Sequence, residues 1–241
     1  MQRLLIVSAL PLLFLSALEA CSETSPNIGR YFRGRTLDIS IVSVDRALEL
    51  RYAHIGPDNT IRHYRLTPQA EGSELILVRL KVENHTATSA IVDVDTQAAE
   101  LRDFFSGKYS PIDVASRVKD APDRSVVDLQ VDIAGPAGQV LPALRKLNGV
   151  ISAAHTRSQD RDFYILKVRD GENLPEEISQ TAASNNWRLV GIQTVGTMFI
   201  TGPLVLQMDT GVDGWMVFEA PKGTKFRELK WQAGDSLSIE F

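Results

Sequence analysis

The chain has 241 residues, 44% hydrophobic and 23% charged, with a formal net charge of −4, four histidines and one cysteine. This is the composition of a globular protein long enough for one or two cores, and it excludes a disordered or fibrous chain. Mild acidity argues against a nucleic-acid binder, and one cysteine excludes both a disulfide framework and a thiolate-based structural zinc site.

The first twenty residues read as a signal peptide. Met1-Gln2-Arg3 gives a positive start, and Leu4 to Leu18 is apolar apart from Ser8, Pro11 and Ser16. Such a run suits a signal core and is short for a membrane span of about 20 residues. Cys21 follows at once in Leu18-Glu19-Ala20-Cys21. This resembles a bacterial lipoprotein signal, with Leu three before the Cys and a small residue just before it, although Glu19 departs from the usual small or uncharged residue. The resemblance implies lipid attachment at Cys21, a bacterial cell membrane location facing outside the cytoplasm, and export of the rest. Secretion with cleavage after Ala20 is the alternative. Residues 21–36 read as a tether. In Arg30-Tyr31-Phe32-Arg33-Gly34-Arg35 the basic side chains suit anionic headgroups, but a solvated linker whose aromatics dock on the first domain is preferred.

From residue 37 to 121 the pattern is β. Leu37–Val44 alternates, and in Glu74–Glu83 the residues Ile76, Val78, Leu80 and Val82 share one face. Asn84-His85 marks a turn, and Ala90–Val94 restarts a strand. The end of the chain returns to this pattern, with strands at 215–219, 226–231 and 237–241 and breaks at Ala220-Pro221-Lys222-Gly223 and Gly234-Asp235. Many short punctuated strands suggest a sandwich.

The middle differs. Val127–Ile133 alternates as a strand, and Val140, Leu141, Leu144 and Leu147 have helical spacing before Asn148-Gly149. Residues 150–156 and 163–168 read as a hairpin around Ser158-Gln159-Asp160. Asn173 has N-cap offsets to Glu176 for a second helix carrying Leu174, Ile178 and Ala182, and 187–194 is a final strand. The order βαββαβ within about seventy residues is the split-βαβ signature. The expected fold is therefore mainly β with an α+β insert: an antiparallel β-sandwich over 37–121 and 197–241, interrupted at an exposed loop by a domain over 125–195.

Two resemblances add to this. Ser73–Asn84, a strand ending in Asn, with Gly214-Trp215-Met216-Val217-Phe218-Glu219-Ala220-Pro221-Lys222-Gly223 near the end, is similar to a broad family of immunoglobulin-like domains in bacterial extracellular lipoproteins. It implies an immunoglobulin-like sandwich acting as a secreted binding or scaffold module, with no catalytic residues to carry over. The insert, through Leu144–Val150, the strand 162–168 and Trp187-Arg188-Leu189-Val190, resembles the small ferredoxin-like domain at the C-terminus of some ABC-transporter ATPases. That domain carries no nucleotide motif here. Heavy-metal domains of the same fold use a Cys-x-x-Cys, whereas this loop is Ala134-Gly135-Pro136-Ala137-Gly138.

No nucleophile elbow, P-loop, His-Glu-x-x-His or dinucleotide fingerprint occurs, so neither an enzyme nor a cofactor or metal is expected. His54 and His63 flank a turn at 56–59 and would face each other across a hairpin, without the third ligand that a good metal site needs. Asp93 and Asp95 would share a polar strand face beside a buried Ile91, Val92 and Val94. Asp209–Gly214 vaguely resembles a calcium loop but lacks its alternating ligands, so a turn is preferred. Trp187, Trp215 and Trp231 are the candidate binding residues, because aromatics serve as recognition anchors when they reach a surface. The expectation is a non-enzymatic, membrane-tethered cell-envelope lipoprotein, a binding or scaffold module that engages an unidentified envelope protein or small ligand through the insert or exposed sheet edges. The alternative is a small-ligand or metal-binding accessory of an envelope transporter, with its site at the cleft between domains.

Overall fold

The computed structural model describes residues 25–121, 126–158, 161–169, 171, 173–196 and 198–241. These residues are mainly β, with 55% strand against 11% helix. The elements before the middle region are β1 (Tyr31–Arg33), β2 (Leu37–Ala47), β3 (Leu50–Ile55), β4 (Ile61–Leu66), β5 (Ser73–Asn84), β6 (Ser89–Val94), β7 (Ala99–Asp103), β8 (Lys108–Tyr109), α1 (Val114–Arg117) and β9 (Lys119–Asp120). The middle holds β10 (Val127–Ala134), α2 (Ala137–Leu144), β11 (Val150–Ser158), β12 (Arg161–Val168), α3 (Leu174–Ser184) and β13 (Arg188–Val195). The chain then returns through β14 (Gly202–Gln207), β15 (Thr210–Pro221), β16 (Phe226–Trp231) and β17 (Leu237–Glu240).

The described strands pair antiparallel in several sheets. One has the order β1-β2-β5-β15 and another β17-β16-β7-β8, with a ribbon β14-β6 beside them. Their inward residues form the largest core, which includes Ile39, Val78, Val92, Leu206, Phe218, Leu229 and Trp231. Alternation makes this possible: in β5, Ile76, Val78, Leu80 and Val82 all point to that core, as their period-two spacing predicts. The end of the expected tether is a strand instead. Tyr31–Arg33 pairs with Ser40–Asp38 of β2, and Ile28 packs against the core. Ile91 also departs from expectation. It points outward, 69% exposed, opposite Val205 of β14, a strand whose Gly-Pro start hides it from the alternation test.

β10 to β13 make a sheet of their own in the order β11-β12-β10-β13. Val127, Leu129, Val131 and Ile133 alternate onto one face, where Val140 and Leu144 of α2 and Leu174, Ile178 and Ala182 of α3 cover them. Asn173 precedes α3 as expected, but its side chain makes no capping hydrogen bond. The first turn of α3 holds Glu176 and Glu177, which complement the helix dipole without a cap.

The hairpin β3–β4 joins the two regions. Its register pairs Leu50 with Leu66 and Tyr52 with Tyr64 on one face, and Ala53 with His63 and Ile55 with Ile61 on the other. The first face packs with Leu75, Leu77, Val114 and Val217, on the side of the β2-β5-β15 sheet away from the main core. The second presents Ile61, Ala53 and Ile55 to the core of the β10–β13 sheet. A two-residue step along this hairpin therefore keeps to one core, and a one-residue step crosses to the other.

Candidate functional site

The widest recess that is rich in aromatics lies where this hairpin meets β13. It is a cleft of about 670 Å³ lined by Tyr52, His54, Tyr64, Gln193, Thr194, Met198, Phe199 and Thr201, with Ala115 and Val118 behind them. The turn at 56–59 sets the register that puts Tyr52 directly opposite Tyr64, their ring centroids 5.4 Å apart. Phe199 meets Tyr52 edge-on, with centroids 4.9 Å apart and planes at 77°, the arrangement that aromatic quadrupoles favour.

Phe199 is held there by backbone. The N–H of Trp215 donates to Met198 O at 2.7 Å, and the N–H of Ile200 donates to Trp215 O at 3.0 Å, so the segment 198–200 is bridged to β15. Gly214 allows this approach, because a Cβ there would lie 2.6 Å from Met198 O. Two further recesses open from the same segment. One, of about 270 Å³, is lined by Phe199, Ile200, Thr201, Trp215 and Met216. The other, of about 600 Å³, has Gln130, Gln193, Met198 and Trp215, with Arg79 paired to Asp213 at 2.8 Å.

The lining of this aromatic cleft carries no Asp, Glu, Lys or Arg. Burial, with a smaller contribution from Tyr64, pushes the Tyr52 phenol up to about 12, so Tyr52 is a neutral hydroxyl that can donate or accept. The carboxylates that are shifted lie elsewhere and have structural partners. Burial pushes Glu219 up, but the N–H groups of Ala70 and Gln69 and the Arg117 guanidinium more than offset this and hold it below its ordinary value. Asp235 is likewise held low against burial by N–H groups of Thr36, Ser236 and Leu37. No group of three or more His, Cys, Asp or Glu among the described residues is placed to hold a metal ion.

No family model, curated protein or solved structure matches the chain.

Of the candidate binding residues, Trp215 lines two of the recesses. Trp231 does not fit that role. It is fully buried, with its indole N–H donating to Ala233 O at 2.7 Å, because its inward register in β16 places it in the core. Trp187 sits just before β13 rather than within it and packs on the core of the β10–β13 sheet, where Gly135 leaves room for its ring. Cys21 lies outside the described residues. His54 and His63 do not face each other, because the register pairs His54 with Arg62 and His63 with Ala53 on opposite faces. Asp209 sits at a turn with φ 59°, and Thr210–Gly214 begins β15, where Asp213 serves Arg79 rather than a cation. Sequence reasoning misses Tyr52, Tyr64 and Phe199. The pair Tyr52 and Tyr64 is within its reach, since a hairpin centred on the Gly56–Asn59 turn brings these two residues together.

Proposed function

We propose that the protein is a non-enzymatic binding module of the bacterial cell envelope, tethered through Cys21, whose binding site is the aromatic cleft between hairpin β3–β4, β13 and the segment 198–201. The cleft's volume and its mixture of aromatic walls with a few uncharged polar groups carry this reading, since small-molecule sites have that make-up. Its ligand is an uncharged molecule with a flat apolar face and hydroxyl or amide groups. Gln193, Thr194, Thr201 and the Tyr52 hydroxyl supply the polar contacts. The inserted unit reads as ferredoxin-like, which its strand order and two helices on one face support. The flanking sheets read as an immunoglobulin-like sandwich on the strength of their shared core.

The test is ligand-observed NMR with a fragment set that holds both charged and uncharged members. Uncharged aromatic and sugar-like fragments bind the parent protein and lose binding with Tyr52→Ala or Phe199→Ala, whereas Tyr64→Phe retains it. Hits that are mostly charged, or that survive both alanine variants, overturn the site. A second reading, a scaffold acting through a sheet edge, is favoured by the outward pair Ile91 and Val205 on the two-stranded ribbon.

A further inference from the structure

Phe105 is the most exposed large apolar side chain described, at 92%, and its neighbour Phe104 is 61% exposed. Scattered exposed apolar residues are ordinary, but adjacent phenyl rings at the tip of a tight loop are not a scattered pair. The loop that carries them is ordered from within. The buried Asp103 carboxylate accepts from the N–H of Phe105 at 2.8 Å, the N–H of Gly107 at 2.7 Å and the Tyr109 hydroxyl at 3.0 Å. The N–H groups of Phe105 and Gly107 are thereby satisfied, while the Phe105 ring is almost bare and the Phe104 ring is more than half exposed.

Beside this loop lies the turn between β15 and β16. The two turns face each other across a recess of about 550 Å³, with Phe104 and Phe105 on one wall and Lys222 and Lys225 on the other. Both lysines are exposed, and neither is in an ion pair among the described residues. Glu74, on the strand beside this turn, is engaged by Arg46 at 2.6 Å and by the N–H of Gly223, and Asp103, which also lines the recess, is engaged within its own loop.

The chain approaches β1 from the side of this end, with its first described turn beside the middle of β2, where the Gly29 N–H donates to Ile41 O at 2.7 Å. β1 runs antiparallel to β2, so residues before Tyr31 come from the direction of Ala47, which pairs with Leu75 near the Pro221 end of β15. Asn27 donates to Glu240 O, and Glu240 pairs with Glu228, two residues from the start of β16. Cys21 is four residues before Ser25, a separation that an extended chain spans in at most about 14 Å.

We infer that this end of the sandwich rests on an anionic lipid surface, with Phe104 and Phe105 entering the headgroup layer and Lys222 and Lys225 against lipid phosphates. Phenyl rings flanked by basic side chains suit that layer, where apolar burial and attraction to anionic lipid add. A second copy of the chain fits less well, because a two-fold contact through this small patch would bring four lysines together in one contact. The inference rests on the envelope location proposed above, but its geometry does not depend on acylation.

The experiment uses the full chain carrying Cys21→Ala, which has no acylation site, floated with vesicles. Mixed phosphatidylethanolamine–phosphatidylglycerol vesicles capture it, and pure phosphatidylcholine vesicles capture it less. Phe105→Ser lowers the partition roughly tenfold on both lipids. Lys222→Glu with Lys225→Glu lowers it by about tenfold or more on the anionic vesicles alone, and added salt does the same. Phe105, Lys222 and Lys225 are exposed, and an unchanged urea midpoint shows that each variant is folded. Absence of capture, or equal partition of Phe105→Ser and its parent, overturns the inference. Labelling of the native chain with a palmitate analogue is read separately. Label without vesicle capture keeps the tether and refutes the surface; without label, capture that the Phe105 and lysine substitutions lower refutes the tether and keeps the surface.

Discussion

Replacing Gly214 with Ala tests the clamp that places Phe199 in the cleft. A Cβ at this position would stand 2.6 Å from Met198 O and 2.8 Å from Ile200 Cγ1. A carbon and a carbonyl oxygen approach no closer than about 3.3 Å without strain, so the segment must retreat by about 0.7 Å. That segment is fixed on two sides: Ile200 is buried in the main core, and two backbone hydrogen bonds tie residues 198 and 200 to Trp215. Overpacking of a fixed site costs about 1–3 kcal/mol, and weakening the two hydrogen bonds adds about 1 kcal/mol. The expected loss is about 3 kcal/mol by urea unfolding, or roughly 6–12 °C in Tm for a chain of this size. The ring contact between Tyr52 and Phe199 loosens with the segment, so its nuclear Overhauser effect weakens and fragment binding falls. Gly138→Ala is the matched control, because nothing lies within 4 Å of its Cβ position in α2. It stabilises by about 0.5–1 kcal/mol through helix propensity. A Gly214→Ala protein within about 0.5 kcal/mol of the parent, with the Tyr52–Phe199 contact intact, would refute the clamp.

Ile61→Ala removes three carbons from the far side of the hairpin, where Ile61 lies in the core of the β10–β13 sheet. At about 0.8 kcal/mol per carbon plus a cavity term, it costs roughly 3 kcal/mol. Hydrogen exchange then loses protection in β10 to β13, and loss confined to β3 and β4 would contradict the shared core. Glu219→Ala strips the acceptor from the N–H groups of Gln69 and Ala70 and from Arg117, for about 2–3 kcal/mol near neutral pH. The folded-state pKa of Glu219 is lowered, so its stabilisation is present above the ordinary value of 4.5 and fades as pH falls through the folded value. Melting curves of parent and variant therefore converge in acid; a constant gap would show that the charge is not the source. His85 is raised by hydrogen bonds to Glu83 and then Asp209, outweighing burial. Its contribution is complete below about 6.5 and is lost as pH rises through the folded value. His85→Gln thus lowers Tm in mild acid and leaves it unchanged in alkali, and a loss independent of pH would rule out the ionised form.

The residues explain why some of this architecture is legible in the sequence and some is not. Val127, Leu129, Val131 and Ile133 have a single face buried under helices, so strict alternation marks β10. β3 and β4 have both faces partly covered by different cores, which mixes apolar side chains into both phases and erases the alternation. The ribbon misleads in the opposite way. Ile91 and Val205 are apolar yet outward, so hydrophobicity assigns Ile91 to the core. Among the tryptophans, ring size says nothing of register: Trp231 and Trp215 are both in strands, but only Trp215 lies at a rim. The cleft draws on Tyr52 and Tyr64 of the hairpin, on Ala115 and Val118, on Gln193 and Thr194 of β13 and on Met198, Phe199 and Thr201, residues far apart in sequence that meet only where β13 comes beside the hairpin. A hairpin with one face on each core fixes β13 against those sheets, and the aromatic pair at its middle rungs lines the gap between them. The same two-sidedness that hides the burial pattern of the hairpin's strands from the alternation test therefore creates the cleft.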